Sequence, residues 1–280
     1  MLNISQILKE NLDLFLAEDD LHKNFGYLSS LPDEPVSCHL KIKDDLVLAG
    51  LPFFFEVFNH LSTKHFDYAD FMKFEGNNFS KNENFEIKFS LPFNIALSGE
   101  RLALNLLQRA SSIATNTSLY VKKADGIKVL DTRKTTPGLR FLEKYAVKKG
   151  GGFNHRFAQS DAWMVKDNHK VFFGGVAPAI KFFKDQHSFY QPIIVEIHDL
   201  AELAQAYQVG ARHFLLDNFS PESIKEAVNM KQPGVTYEVS GGINLDNIQD
   251  YCLPGVDAFS SGSLTYDARP VDLSLKFSRI

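Results

Sequence analysis

The segment DTRKTTPGLR, residues 131–140, places Asp131, Arg133 and Lys134 directly after the apolar run IKVL, and it ends on Pro137, Gly138 and Arg140. In a chain of formal net charge -4, adjacent cations at the end of a buried-looking strand call for an anion. A second group lies in GGGFNHR (150–156) and VKDNH (165–169). Three glycines admit backbone where side chains would obstruct it. His155 and Arg156 point to an anionic or carboxylate ligand, because a guanidinium matches a carboxylate fork. With Arg133, Lys134 and Lys166 they read as a cationic pocket for several negative groups at once. Glu196 and Asp217 carry the opposite sign. Paired carboxylates hold a divalent ion or stabilise a developing cation such as an oxocarbenium. SGGI (240–243) and SSGS (260–263) offer Ser240, Gly241, Gly242, Ser261, Gly262 and Ser263 as two phosphate loops, since glycine lets backbone N–H groups approach an anion and a following helix start adds attraction.

These residues share one structural context. From residue 127 onward, short β-prone runs end in polar residues: IKVLDTR, AWMVKDN, PIIVEIH, HFLLDN, VTYEVSGG and VDAFSSGS. Between them, DLAELAQAYQVGA and SPESIKEAVNM have helical spacing, with Asp199 and Ser220 as N-caps, Pro221 at a first helical position and Gly210 at a helix end. Repeated β–α units predict a parallel sheet, and an α/β barrel fits better than an open sheet, with no dinucleotide fingerprint after the first strand. Barrel sites form at the C-terminal ends of the strands, where Arg133, Lys134, Lys166, Glu196, Asp217 and Ser240 fall. Residues 1–105 read as a separate α+β domain, with strand-like VSCHLKIK, LVLAG and FEIKFSL. Residues 106–265 form the barrel, and the tail 266–280 is a candidate to return to the first domain. A long helix is expected from about Ser98 as N-cap. Arg101 in its first turn would oppose the helix dipole, a hint that it meets an anion.

Composition narrows the class. At 44% hydrophobic and 23% charged over 280 residues, the chain can bury a large core. Its 25 phenylalanines are expected to pack there. Residues 131–170 hold nine Lys/Arg against four Asp/Glu, but these cations sit at strand ends and not along one helix face, which argues against nucleic acid. Cys38 and Cys252 make neither a disulfide framework nor a metal knuckle. No apolar run reaches membrane-spanning length, and the acidic N-terminal segment lacks signal-peptide features, so a cytoplasmic protein is expected.

GERLALNLLQRASSIAT, DTRKTTPGLR, GGGFNHR, VKDNH, VEI, LLDN, SGGI and GVDAFSSGSLT together resemble the quinolinate phosphoribosyltransferase family. The resemblance runs in order from about Gly50 to Thr265. It implies an incomplete α/β barrel with an N-terminal α+β sandwich-like domain. It also implies a homodimer in which one subunit's N-terminal domain covers the other's barrel mouth, and a magnesium-dependent union of quinolinate with phosphoribosyl pyrophosphate. On that reading Arg133, His155 and Arg156 hold the quinolinate carboxylates, with Arg101 reaching in from the partner or domain edge. Lys134 and Lys166 contact carboxylate and pyrophosphate. The 5′-phosphate lies on Ser240–Gly242 and Ser261–Ser263, and Glu196 and Asp217 face the ribose and its metal. EDDLHKNFGYLSS lacks a family Gly-Asp-Leu-Thr run, Lys43 stands where an arginine toward the neighbouring site is expected, Ser112 replaces a glycine, and HRFAQSD departs from HR-x-G-L-x-D. Rival readings are a molybdenum-transport-associated relative, suggested by KVFFGG, a Schiff-base aldolase using Lys166, and a non-enzymatic anion binder.

Overall fold

The computed structural model describes residues 4–19, 27 and 30–280. Most of EDDLHKNFGYLSS lies outside them. The chain forms two compact units: Met1–Asn116 with Thr136–Gly150 and Ala268–Ile280, and Thr117–Thr135 with Gly151–Asp267.

In the first unit, helix α1 (Ile4–Glu18) buries Leu8, Leu12 and Leu16, one stripe at four-residue spacing. Strand β1 (Pro35–Ile42) alternates, burying Val36, Cys38, Leu40 and Ile42. A two-stranded ribbon, β2 (Leu46–Val47) with β3 (Asn78–Phe79), flanks helix α2 (Leu51–Leu61). Strand β4 (Glu86–Pro92) pairs antiparallel with β1, whose other edge takes the C-terminal strand Leu273–Arg279. The phenylalanines pack as expected: Phe53, Phe54, Phe55 and Phe58 on α2 are fully buried, and Phe55 meets Phe89 edge-on with centroids 5.3 Å apart.

Helix α3 (Phe93–Lys123) corrects one expectation. It starts directly after β4, so Ser98 is interior and caps nothing. The Ser98–Gly99 pair is a packing notch: a Cβ at Gly99 would come within 2.8 Å of the Phe58 ring. Arg101 is therefore an exposed residue of the third turn, and the dipole argument for it lapses. The Ser112 hydroxyl donates to the Gln108 carbonyl (2.7 Å) and accepts from the Val271 N–H (3.2 Å), joining α3 to the C-terminal segment. Helix α4 (Arg140–Lys149) is held by Glu143, whose fully buried carboxylate accepts from Arg109 Nε (3.0 Å), Arg109 Nη2 (2.7 Å) and the Thr136 N–H (3.1 Å).

The second unit is a parallel six-stranded sheet. In chain order its strands are β5 (Lys128–Leu130), β6 (Trp163–Val165), β7 (Ile193–Ile197), β8 (His213–Asp217), β9 (Thr236–Ser240) and β10 (Ala258–Ser260); in space the order is β5-β10-β9-β8-β7-β6. Laid flat, the edge strands would stand roughly 24 Å apart. Residues after both edges line one cavity, so the sheet is curled into a barrel left open between β5 and β6. Helices α5 (Asp167–Phe173), α6 (Val176–Gln186), α7 (Leu200–Gln208) and α8 (Pro221–Asn229) follow the middle strands. Asp199 caps α7 by accepting the Glu202 N–H (2.8 Å), and Ser220 caps α8 by accepting the Ser223 N–H (3.2 Å). The last two crossovers differ from expectation. β9 leads only to a 3-10 turn, Ile248–Tyr251, and β10 to the four-residue helix Ser263–Tyr266. An anion at those loops would be met by backbone N–H groups with little help from a helix dipole.

Candidate active site

All six strands send their C-terminal ends to one cavity of about 760 Å³. It brings together Arg133 and Lys134 after β5, His155 and Arg156, Lys166 after β6, Glu196 on β7, Asp217 on β8, Ser240–Gly242 after β9 and Ser261–Ser263 after β10. Every one of its lining residues belongs to the second unit. Arg101 and Lys43 belong to the first unit; Arg101 is exposed, and Lys43 Nζ lies 3.9 Å from the Asp272 carboxylate.

The cationic wall is held from below by Asp131. This fully buried residue accepts the His155 N–H (2.9 Å) and the Asn154 side-chain amide (2.6 Å), fixing the segment that carries Arg156. Arg156 Nη1 donates to the Ala162 carbonyl (2.8 Å). Burial and the nearby Arg133 cation lower the pKa of Arg156, a sign that positive charge is crowded here. Arg133 Nε is buried without a partner among the described residues. The HRFAQSD loop closes on Asp161, which accepts the Phe157 (2.6 Å) and Ala158 (3.1 Å) N–H groups. On the β5 side, the Lys134 carbonyl accepts from Thr265 Oγ1 (2.8 Å).

Opposite stand the carboxylates. Lys166 Nζ is 3.0 Å from Glu196 Oε2. Desolvation first, and then the Glu196 charge, raise the pKa of Asp217, against the opposing pull of His198, Lys166 and Lys134. Asn218, in the left-handed region (φ 57°), donates its side-chain amide to Asp217 Oδ2 (2.8 Å) and its backbone N–H to the Ser240 carbonyl (2.8 Å). Gly241 (φ 92°) sits against it, where a Cβ would strike the Asn218 amide and come within 2.6 Å of its backbone nitrogen.

His198 was not singled out from the sequence. Its Nε2 lies 2.5 Å from Asp167 Oδ1 and 3.6 Å from Glu196 Oε1, and its Nδ1 3.9 Å from Asp217 Oδ2. The signal was present in VEIH: residues 196 and 198 share a face by the strand's period of two. Asp167, Glu196 and His198 each offer a ligand atom within 4.8 Å of the others. Asn244, Tyr266 and Asp267 also line the cavity, and nothing in their spacing marked them.

Residues 113–276 match the family described as quinolinate phosphoribosyl transferase, C-terminal domain, and residues 24–111 match its N-terminal domain. This chain belongs to the quinolinate phosphoribosyl transferase family. It is similar to the human nicotinate-nucleotide pyrophosphorylase [carboxylating], at 38% identity over 273 residues, covering 95% of this chain and 90% of the human one. The crystal structure of NadC from Streptococcus pyogenes superposes with a TM-score of 0.87 at 35% identity, covering 98% of this chain and 97% of that one. The nicotinate-nucleotide pyrophosphorylase from Francisella tularensis superposes with a TM-score of 0.86 at 34% identity, with the same coverage. Family membership accounts for the open barrel and for the separate N-terminal sheet-and-helix unit together.

Proposed function

We propose that this chain transfers the phosphoribosyl group of phosphoribosyl pyrophosphate to quinolinate with decarboxylation, giving nicotinate mononucleotide, pyrophosphate and CO2, a step of NAD biosynthesis. The observation that carries the reading is a single cavity with Arg133, Lys134, Arg156 and Lys166 on one side and Glu196 and Asp217 on the other, in a chain matching this family along most of its length. A dicarboxylate and a pyrophosphate need the cations. A simple anion trap would gain nothing from the carboxylates.

Arg133 and Arg156 clamp the two carboxylates of quinolinate and set its ring nitrogen toward the anomeric carbon of the ribose. Lys134 and Lys166 neutralise charge on the pyrophosphate and the neighbouring carboxylate. Ser240–Gly242 and Ser261–Ser263 hold the 5′-phosphate through backbone N–H groups. As the bond from the anomeric carbon to pyrophosphate breaks, Glu196 and Asp217 favour the positive charge growing on the sugar. The ring nitrogen then supplies the pair for the new C–N bond and becomes cationic. The C2 carboxylate leaves as CO2, its bonding pair stays on C2 beside that cationic nitrogen, and a proton from solvent completes the ring carbon. Lys166 acts through its charge, in keeping with its ion pair to Glu196, and no covalent enzyme intermediate is needed.

Glu196 and Asp217 fit a divalent ion: they are oxygen donors close enough for the Glu196 charge to raise the pKa of Asp217. Magnesium bound there would offset the charge of the departing pyrophosphate. A homodimer, with Lys43 and Arg101 turned toward the partner's pocket, belongs to the same proposal; both side chains are exposed. Mixing the protein, magnesium, phosphoribosyl pyrophosphate and quinolinate should yield nicotinate mononucleotide. Nicotinate in place of quinolinate should not react, and equal turnover of nicotinate would refute the assignment.

A further inference from the structure

Glu238 lies on β9, outside the cavity lining, and no role has been given to it so far. Pairing sets it level with Leu215 of β8 and Ala258 of β10, and Leu215 is level with Glu196 of β7. Leu215, Glu196 and Ser240, two residues further along β9, all line the cavity. Strand alternation therefore turns Glu238 to the barrel interior, while Tyr237 and Val239 are fully buried on the other face, where Tyr237 donates to the Ala227 carbonyl (3.0 Å).

Glu238 Oε2 lies 3.3 Å from His155 Nε2, with the two side chains only 13% and 9% exposed. The other ring nitrogen, Nδ1, accepts the backbone N–H of Arg156 at 2.7 Å. A nitrogen that accepts an N–H carries no proton, so the ring proton is on Nε2 and is donated to Glu238. Both nitrogens are thus engaged inside the protein, and His155 has no ring donor directed at a substrate carboxylate. That changes the direct clamping role expected of it from the sequence. Glu238 Oε1 is buried with no partner among the described residues. An interior carboxylate with one oxygen unsatisfied is a cost that packing alone does not explain.

We propose that Glu238 is a positioning residue. It holds the His155 proton on Nε2, keeps Nδ1 bare for the Arg156 backbone, and so fixes the direction in which the Arg156 guanidinium enters the cavity. Without an acceptor at Nε2 the proton is free to move to Nδ1, where it would face the Arg156 N–H donor to donor and push that residue out of place. The effect on quinolinate rests on the function proposed above; the effect on the histidine does not.

The test uses the full chain with ¹⁵N-labelled histidine, the His155 signals being assigned by their loss in His155→Gln. The wild type should show a bare Nδ1 and a protonated Nε2. Glu238→Gln keeps an acceptor oxygen without the charge and should preserve that pattern, with quinolinate affinity within about threefold. Glu238→Leu removes the acceptor and should move the proton or mix the two forms, weakening quinolinate binding by about tenfold to a hundredfold, the scale of an ångström-sized misplacement. Phosphoribosyl pyrophosphate affinity should stay within about threefold in both. A wild-type signal with the proton on Nδ1, or an unchanged tautomer in Glu238→Leu, would overturn the proposal. So would equal losses in the Gln and Leu variants, or a parallel loss of phosphoribosyl pyrophosphate binding, which would mean that Glu238 acts on β9 as a whole. If the wild type failed to bind quinolinate at all, the functional reading would fall while the histidine measurement still decided the role of Glu238.

Discussion

Arg133 and Arg156 are the side chains whose loss should be most selective. Arg133 Nε is already buried without a partner among the described residues, and Arg156 is a cation in a crowded positive wall. Each would gain a charge-assisted contact to a desolvated carboxylate, worth about 2–4 kcal/mol. Arg133→Ala and Arg156→Ala should therefore weaken quinolinate binding by that amount in calorimetry, with phosphoribosyl pyrophosphate affected less; intact quinolinate affinity in both would remove the clamp. Glu196 and Asp217 should behave differently. Their charge opposes the anionic substrates in the ground state and helps only as positive charge grows, so Glu196→Gln and Asp217→Asn should lower kcat by about 30- to 1,000-fold, or about 2–4 kcal/mol, while quinolinate affinity stays within a few-fold. Loss confined to affinity would mean that these carboxylates only organise the pocket. The raised pKa of Asp217 fixes the sign of a pH effect. Its working form is the carboxylate, so kcat should fall as pH drops through a value above the ordinary Asp range, and that limb should be missing from the pH profile of Asp217→Asn. Burying the charged form also costs folding energy. The contribution of Asp217 to stability is therefore most favourable below the unfolded pKa and declines as pH rises through the folded one.

The loops after β8 and β9 act as one element. Gly241 and Asn218 are both in the left-handed region, and Asn218 reaches Asp217 and the Ser240 carbonyl at once. Gly241→Ala would strain the backbone and push Asn218 away from Asp217. We expect a loss of about 1–3 kcal/mol in stability and a lower kcat/KM for phosphoribosyl pyrophosphate, measured by denaturant melts and steady-state kinetics; full activity would show that the loop has room to give. In the first unit, Glu143 ties α3, α4 and Thr136 together. Its carboxylate is fully buried while Arg109 is about a quarter exposed. Glu143→Ala should cost about 2–4 kcal/mol, less than a fully buried pair would, because solvent screens the arginine left behind. An unchanged melting midpoint would contradict this.

At the scale of the whole molecule, every residue lining the cavity comes from the second unit, whereas Lys43 and Arg101 stand exposed on the first. A dimer that shares its sites would give both cations an anion to meet. Light scattering should find a dimer or a multiple of one, and Lys43→Ala should weaken binding of an anionic substrate. A fully active monomer would sink the shared-site arrangement. Unchanged affinity for both substrates in Lys43→Ala would remove that lysine from it.

The sequence by itself determined the β–α order of the second unit, because buried parallel strands need short apolar runs and each run here ends in a charged or glycine-rich turn. Asp199 and Ser220 announced their helices for the same local reason: a side-chain oxygen beside free N–H groups. It also determined which side chains would meet at the strand ends, Arg133, Lys134, Arg156, Lys166, Glu196 and Asp217, since a barrel gathers those ends at one mouth. Tertiary structure decided what spacing cannot encode. Ser98 looks like a cap but is interior, because the chain enters α3 straight from β4. His198 reaches the carboxylates only because β7 and β8 are neighbours in a curled sheet. Asp131 and Glu238 look like ordinary strand residues until His155, 24 and 83 positions away in the chain, is folded against them. Direction of a side chain and the partner of a buried charge depend on elements far apart in sequence, and only their packing brings those elements within hydrogen-bonding distance.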